Sequence, residues 1–267
     1  MGAPWPAGPP RGPRNRVDPR WLVLIVVGVI VVVILVRQHK IHISEPTVLY
    51  FLAIIPSIIL HEVTHGWVAL GFGDDTAKRA GRLSLNPLVH VSLFGTLILP
   101  ALLVLSGYPP FGWAKPVPVN MSRMRHPRND DVVVALAGPA MNIALAVALG
   151  LAFRFAVPGI DKASIYYYGL QSGVGQPVWA QYLFAIGYVN VILAVFNLIP
   201  IPPLDGASVL ERLLPRQWLP GYLSIRQYTI FLPFLIIWIH PEWIDDIFQP
   251  FLNYWAHILG PVTVSST

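Results

Sequence analysis

The sequence predicts an all-α membrane protein: a polytopic bundle of five to six transmembrane helices with a re-entrant segment and a short membrane-associated β element. Three observations lead there. The 267 residues are 55% hydrophobic and only 12% charged, with a mean hydropathy of +0.60, and a soluble domain carries about twice that charged fraction. Several apolar runs approach the roughly 20 residues needed to cross a bilayer. The distribution of basic residues between those runs favours one segment that enters and returns.

Residues 1–20 are rich in Pro, Gly and Arg, with too little apolar surface to fold, and read as a disordered basic tail. Residues 21–261 form a single integral-membrane domain, and 262–267 a C-terminal tail. The stretch Trp21 to Val36 lies too far from the start, and is too poorly followed by a small-residue cleavage site, to be a removable signal peptide. It reads as a retained first span. Spans follow at about 48–70, 131–155, 178–203 and 226–240. The stretch 91–106 is short, and the aromatic stretch 246–261 either crosses the membrane or lies along it. No cysteine is present, so a metal site must use His, Asp or Glu. The net charge of +5 does not point to nucleic acid, because the basic residues flank apolar spans without a nucleic-acid motif.

Orientation follows from those residues. With a cytoplasmic tail and a re-entrant 91–106, Lys and Arg split about fourteen to four in favour of the cytoplasm; a crossing 91–106 gives about nine to nine. The expectation is a multi-pass cell-membrane protein, its N-terminus cytoplasmic and its polar site nearer that side. The strip from Gly112 through Trp113, Ala114, Lys115 and Pro116 to Val117 and Val119 should line a cavity, since irregular backbone at membrane depth needs protein or water to satisfy it.

The chemistry begins at His61-Glu62-Val63-Thr64-His65. A carboxylate at the centre of a membrane helix costs roughly 2.5–3.5 kcal/mol on insertion scales, so Glu62 is a functional suspect. Positions i and i+4 share a helix face, so both imidazoles can reach one metal ion with Glu62 beside it. Zinc wants a third protein ligand. The other histidines (His39, His42, His90, His126, His240 and His257) sit at span edges or in loops without partner motifs. Asp205 is better placed. It follows Pro200, Pro202 and Pro203, which cannot donate backbone hydrogen bonds and so end the helix, and it precedes a permissive Gly206. A plain helix cap is the alternative for Asp205.

Together these stretches resemble the site-2 protease family of intramembrane zinc metalloproteases. The likeness rests on HExxH at His61 to His65, on a G-P-x-x-N element at Gly138, Pro139 and Asn142, and on N-x-x-P-x-x-P-L-D-G at Asn197, Pro200, Pro203, Leu204, Asp205 and Gly206. It covers about residues 48 to 210, with Ala207 where the family has a second glycine. The resemblance implies one zinc per chain held by His61, His65 and Asp205, with Glu62 as general base. It implies that Asn142 and Asn197 orient the substrate backbone or stabilise the developing oxyanion; helix-packing hydrogen bonds are the alternative for each. The substrate would be a membrane protein with a single transmembrane helix, cut in or near that helix within the lipid bilayer. Helix amides are internally bonded, so the substrate must unwind. An extended substrate could pair with a hairpin edge formed around Gly112, Trp113, Ala114, Lys115 and Val117. Pro116 and Pro118 would leave only one edge competent.

Three rivals remain at this stage: a non-catalytic relative that binds membrane clients, a proton or ion pathway, and a zincin whose third ligand is Glu211 or Glu242.

Overall fold

The computed structural model describes residues 45–92, 95, 114–156, 177–215, 217–226, 239 and 242–259. The first span, most of 91–106, most of 226–240, Gly112, Trp113 and both tails lie outside these residues. Among the described residues the fold is helical and contains no strand. In chain order the helices are α1 (Glu45–Gly71), α2 (Thr76–Arg79), α3 (Pro127–Ala156), α4 (Val178–Leu198), α5 (Gly206–Leu213), α6 (Leu219–Arg226) and α7 (Glu242–Leu259).

Among the described residues, three helices are long and apolar enough to cross a membrane, over Val48–Gly71, Pro127–Ala156 and Val178–Leu198. With the family membership established below, they make this a multi-pass membrane protein. Two agree with the spans expected at 48–70 and 131–155. The third stops at Leu198 rather than 203, because Pro200, Pro202 and Pro203 offer no N–H to continue the ladder.

Side-chain pairings set the directions. Along α1, Tyr50, Ser57 and His61 meet partners at Tyr188, Asn190 and the segment after Leu198, so α1 and α4 run parallel. His65 meets Val134 while His61 meets Asn142, so α3 runs against them. Leu49 and Ala53 pack on Ala185 and Val189 to seal α1 against α4. Pro56 inside α1 has no N–H for the Leu52 carbonyl one turn back, and the Tyr182 hydroxyl donates to that oxygen at 3.1 Å. A freed backbone group within a span thus finds a protein partner.

The described part of the stretch expected at 246–261, residues 246–259, belongs to α7, which packs along α3 and α4. Phe248, Leu252, Trp255 and Leu259 join Ala146, Phe153 and Phe184 in one buried cluster. Trp255 is the knob. Its Nε1–H donates to the Ala146 carbonyl at 2.7 Å, and a Cβ on Gly187 would lie 2.4 Å from its ring.

The expected β element does not appear in the part of it that is described. Residues 114–119 form no strand. Instead the strip is tied down at three places. Lys115 N–H donates to the His90 carbonyl at 2.7 Å, Val117 N–H to Glu62 at 2.8 Å and Asn120 N–H to Asp74 at 2.6 Å.

Candidate metal centre

His61 and His65 are one turn apart on α1 and both point inward, 6% and 8% exposed. Their Nε2 atoms are 3.0 Å apart. Asp205 Oδ2 lies 3.1 Å from the first and 3.3 Å from the second. Asp205 reaches them because the chain folds back sharply at the proline-broken end of α4. A Cβ at Gly206 would fall 2.3 Å from the Leu198 carbonyl oxygen, so only glycine permits that return. Asp205 occupies the N-cap position of α5, yet its side chain makes no capping bond. Arg128, at the start of α3, donates to the carbonyls of Glu211, Arg212 and Leu214 and holds the far end of α5 in place.

The outer nitrogens of both rings are already engaged. His65 Nδ1 lies 2.6 Å from the Val134 carbonyl, which can only accept, so this nitrogen carries the proton. His61 Nδ1 lies 2.6 Å from Asn142 Oδ1. In the neutral rings both Nε2 atoms then present lone pairs, and they face each other and a carboxylate oxygen that is buried without a hydrogen-bond partner. Three acceptors converging at about 3 Å repel unless a cation sits among them. Tetrahedral zinc with bonds of about 2.0–2.1 Å spaces its ligand atoms by about 3.3 Å, close to the 3.0, 3.1 and 3.3 Å found. The donor set fits zinc, and all three candidate atoms lie within 4.8 Å of one another. The outer partners, a backbone carbonyl and a buried amide, are those that orient metal-binding imidazoles.

Gly138 makes the approach of α3 possible. A Cβ there would lie 2.3 Å from His65 Nε2 and 2.5 Å from His61 Cε1. The neighbouring Pro139 lies inside the same helix.

The other expected residues fall as follows. Glu62 is half-buried, with Oε2 accepting the Val117 N–H. Asn142 is fully buried at 0% exposure, and its amide is taken up by His61 and Asn190 (Nδ2 to Oδ1, 2.7 Å). Asn197 is half-buried and donates to the Leu193 carbonyl of its own helix at 3.0 Å. Pairing of a substrate with the 114–117 strip meets a physical obstacle. The N–H groups of Lys115 and Val117 already serve His90 and Glu62, and Pro116 and Pro118 have none. Ala114 borders the same strip, half-buried. His90, buried in its loop, binds the Ser84 carbonyl at 2.8 Å and does not join the cluster.

Two residues escaped the sequence reading. Asn190 is buried at 0% exposure in α4, and Ser57 at 1% in α1, four positions before His61. Asn190 carried a signal: a carboxamide amid apolar residues of a span needs a partner.

The family description "Peptidase family M50" matches residues 49–239. The chain is 36% identical over 191 residues to "Putative zinc metalloprotease YwhC" of Bacillus subtilis (strain 168), covering 71% of this chain and 80% of that protein. It is 32% identical over 201 residues to "Putative zinc metalloprotease Rip2" of Mycolicibacterium smegmatis, covering 74% of this chain and 66% of that one. A more distant relative is "Zinc metalloprotease MJ0392" of Methanocaldococcus jannaschii, 22% identical over 174 residues, 65% of this chain and 36% of that protein. No solved structure matches the chain.

Proposed function

The chain belongs to peptidase family M50, the site-2 protease family, and from that premise we propose that it is an intramembrane zinc endopeptidase. Its substrates are single-pass membrane proteins, cut in or near the transmembrane segment as a step of regulated intramembrane proteolysis. The observation that carries this reading is the convergence of three candidate ligand atoms, from His61, His65 and Asp205, between helices long and apolar enough to span a bilayer.

Zinc in that position supplies Lewis acidity to a water molecule and to the scissile carbonyl. The remaining roles fall to side chains. Glu62, next to His61 in sequence, accepts the proton of the attacking water and passes it to the departing amine. Val117 holds the Glu62 carboxylate in place through its backbone N–H. The 114–117 strip touches Glu62 through Val117 and is, in this reading, the first described backbone that an unwound substrate meets. Asn197, at the end of α4, remains the candidate to orient that substrate. The loop charges put this site nearer the cytoplasmic face, where water enters.

The test uses purified protein and a membrane-embedded substrate. Glu62→Gln should lose cleavage by about 10²–10⁴-fold while keeping one zinc per chain. Undiminished proteolysis by that variant would overturn the assignment of Glu62, and wild-type protein without zinc would overturn the site.

A further inference from the structure

Asn190 sits in the middle of α4 with no exposed surface. Its Nδ2 donates to the Ile186 carbonyl and to the Ser57 hydroxyl, each at 2.8 Å. Its Oδ1 accepts from Asn142 Nδ2 at 2.7 Å. The Ser57 hydroxyl donates onward to the Ala53 carbonyl at 2.8 Å. Asn142 Oδ1 in turn meets His61 Nδ1 at 2.6 Å. Ser57, Asn142 and Asn190 are each no more than 1% exposed, so one dry line of hydrogen bonds joins α1, α4 and α3 and ends on a candidate zinc ligand.

The direction of that line is set at its far end. A backbone carbonyl can only accept, so Asn190 must turn its NH2 toward Ile186 and its oxygen toward Asn142. Asn142 must then offer its NH2 to Asn190 and its oxygen to His61. His61 must answer with Nδ1–H, which leaves the Nε2 lone pair for a metal. If Asn142 were turned over, it would offer a donor to His61. The ring proton would move to Nε2 and block the metal position.

We propose that Asn190, braced by Ser57, is a positioning residue that selects the metal-competent tautomer of His61 by fixing which way Asn142 points. His65 needs no such device, because the Val134 carbonyl fixes its tautomer directly. The inference rests on reading His61 as a zinc ligand. It adds to that reading a specific cause of zinc affinity, located away from the site.

The experiment uses the full chain in detergent, with two readouts: zinc affinity by chelator competition, and nitrogen-15 imidazole shifts of the zinc-free protein. Asn190→Leu should weaken zinc about tenfold, the low end of the 10–100-fold range for outer partners of metal ligands. His61 should shift from one tautomer to a mixture while His65 stays as it was. Adding Asn142→Asp to that variant should restore most of the affinity, because both oxygens of a carboxylate accept and neither orientation can donate. A purely structural role predicts no such rescue. Zinc affinity within twofold of wild type (about 0.4 kcal/mol), an unchanged His61 tautomer, or a folded variant that Asn142→Asp fails to rescue would each overturn the proposal. Should Asn190→Leu not fold, Asn190→Ala carries the same two readouts. Wild-type protein that binds no zinc would instead refute the metal site itself, a result distinct from failure of the relay.

Discussion

The backbone N–H of Val117 lies 2.8 Å from the Glu62 carboxylate. Glu62 is on α1 and Val117 on the strip after the 91–113 segment, so the proposed base is held by a piece of chain 55 residues away. That link makes the strip part of the catalytic geometry.

Val117→Pro removes this donor, and Pro118 already confines position 117 to the extended and polyproline region in which proline is tolerated. A hydrogen bond to a charged group contributes about 1.5–3 kcal/mol, or roughly 10–100-fold in rate. Cleavage should fall by that factor with zinc content unchanged. A faster enzyme would show that the Val117 contact restrains Glu62 instead of aiming it.

Asp205→Asn keeps the size of the third ligand and removes its charge. The two imidazoles then face a neutral oxygen, and zinc affinity should fall by at least tenfold, measured by chelator competition. Arg128→Ala should weaken zinc in the same direction but less. It leaves Asp205 intact and frees the far end of α5 that Arg128 pins through three carbonyls. Equal affinity in Asp205→Asn and wild type would move the third ligand elsewhere.

Gly138→Ala adds a methyl group where it would lie 2.3 Å from His65 Nε2. Either α3 retreats or the rings turn, and both separate the ligands. Zinc affinity should drop by more than tenfold while helix content by circular dichroism stays near wild type. Gly187→Ala is the control. Its methyl would meet the Trp255 ring at 2.4 Å, a contact that involves none of the three candidate ligands, and should lower thermal stability while sparing zinc.

How much of this was legible beforehand depends on reach along the chain. His61 and His65 share a helix face by spacing alone, and the prolines before Asp205 announce a broken helix; that Asp205 would join the two histidines was implied by the family resemblance, not by its local sequence. The apolar runs likewise gave three spans to within a few residues, apart from the early end of α4 at Leu198. The Asn142–Asn190–Ser57 line could not be read. Its members are 48 and 133 positions apart, and only the register of three packed helices brings them together. The same holds for the contact between Asn142 and His61, which the depth of Asn142 in the bundle decides and its neighbours in sequence do not show. The strip at 114–119 was expected to offer a pairing edge. The His90 carbonyl and Glu62 take that edge first, and no residue within the strip signals this.

Asp74, in the turn after α1, has no exposed surface and anchors the same strip from its other end. Burial pushes its carboxyl up, but the N–H of Asn120, the hydroxyl and N–H of Thr76 and the nearby Arg123 more than offset this, and hold it below the ordinary aspartate value. The group is therefore more acidic folded than unfolded. Its contribution is complete above the unfolded value of about 3.9. It shrinks as pH falls below that and is gone once pH passes below the folded value. Asp74→Asn keeps one acceptor for Thr76 but cannot satisfy both oxygens' partners, and should cost about 1–3 kcal/mol at neutral pH. Unfolding in detergent, followed from pH 7 down through the carboxylate range, should show the gap between wild type and variant narrowing only at the acid end. Loss of zinc on acidification affects both proteins and cancels in the difference. A gap that stays constant to the lowest pH would mean that the charge of Asp74 contributes nothing and that only its shape anchors the strip.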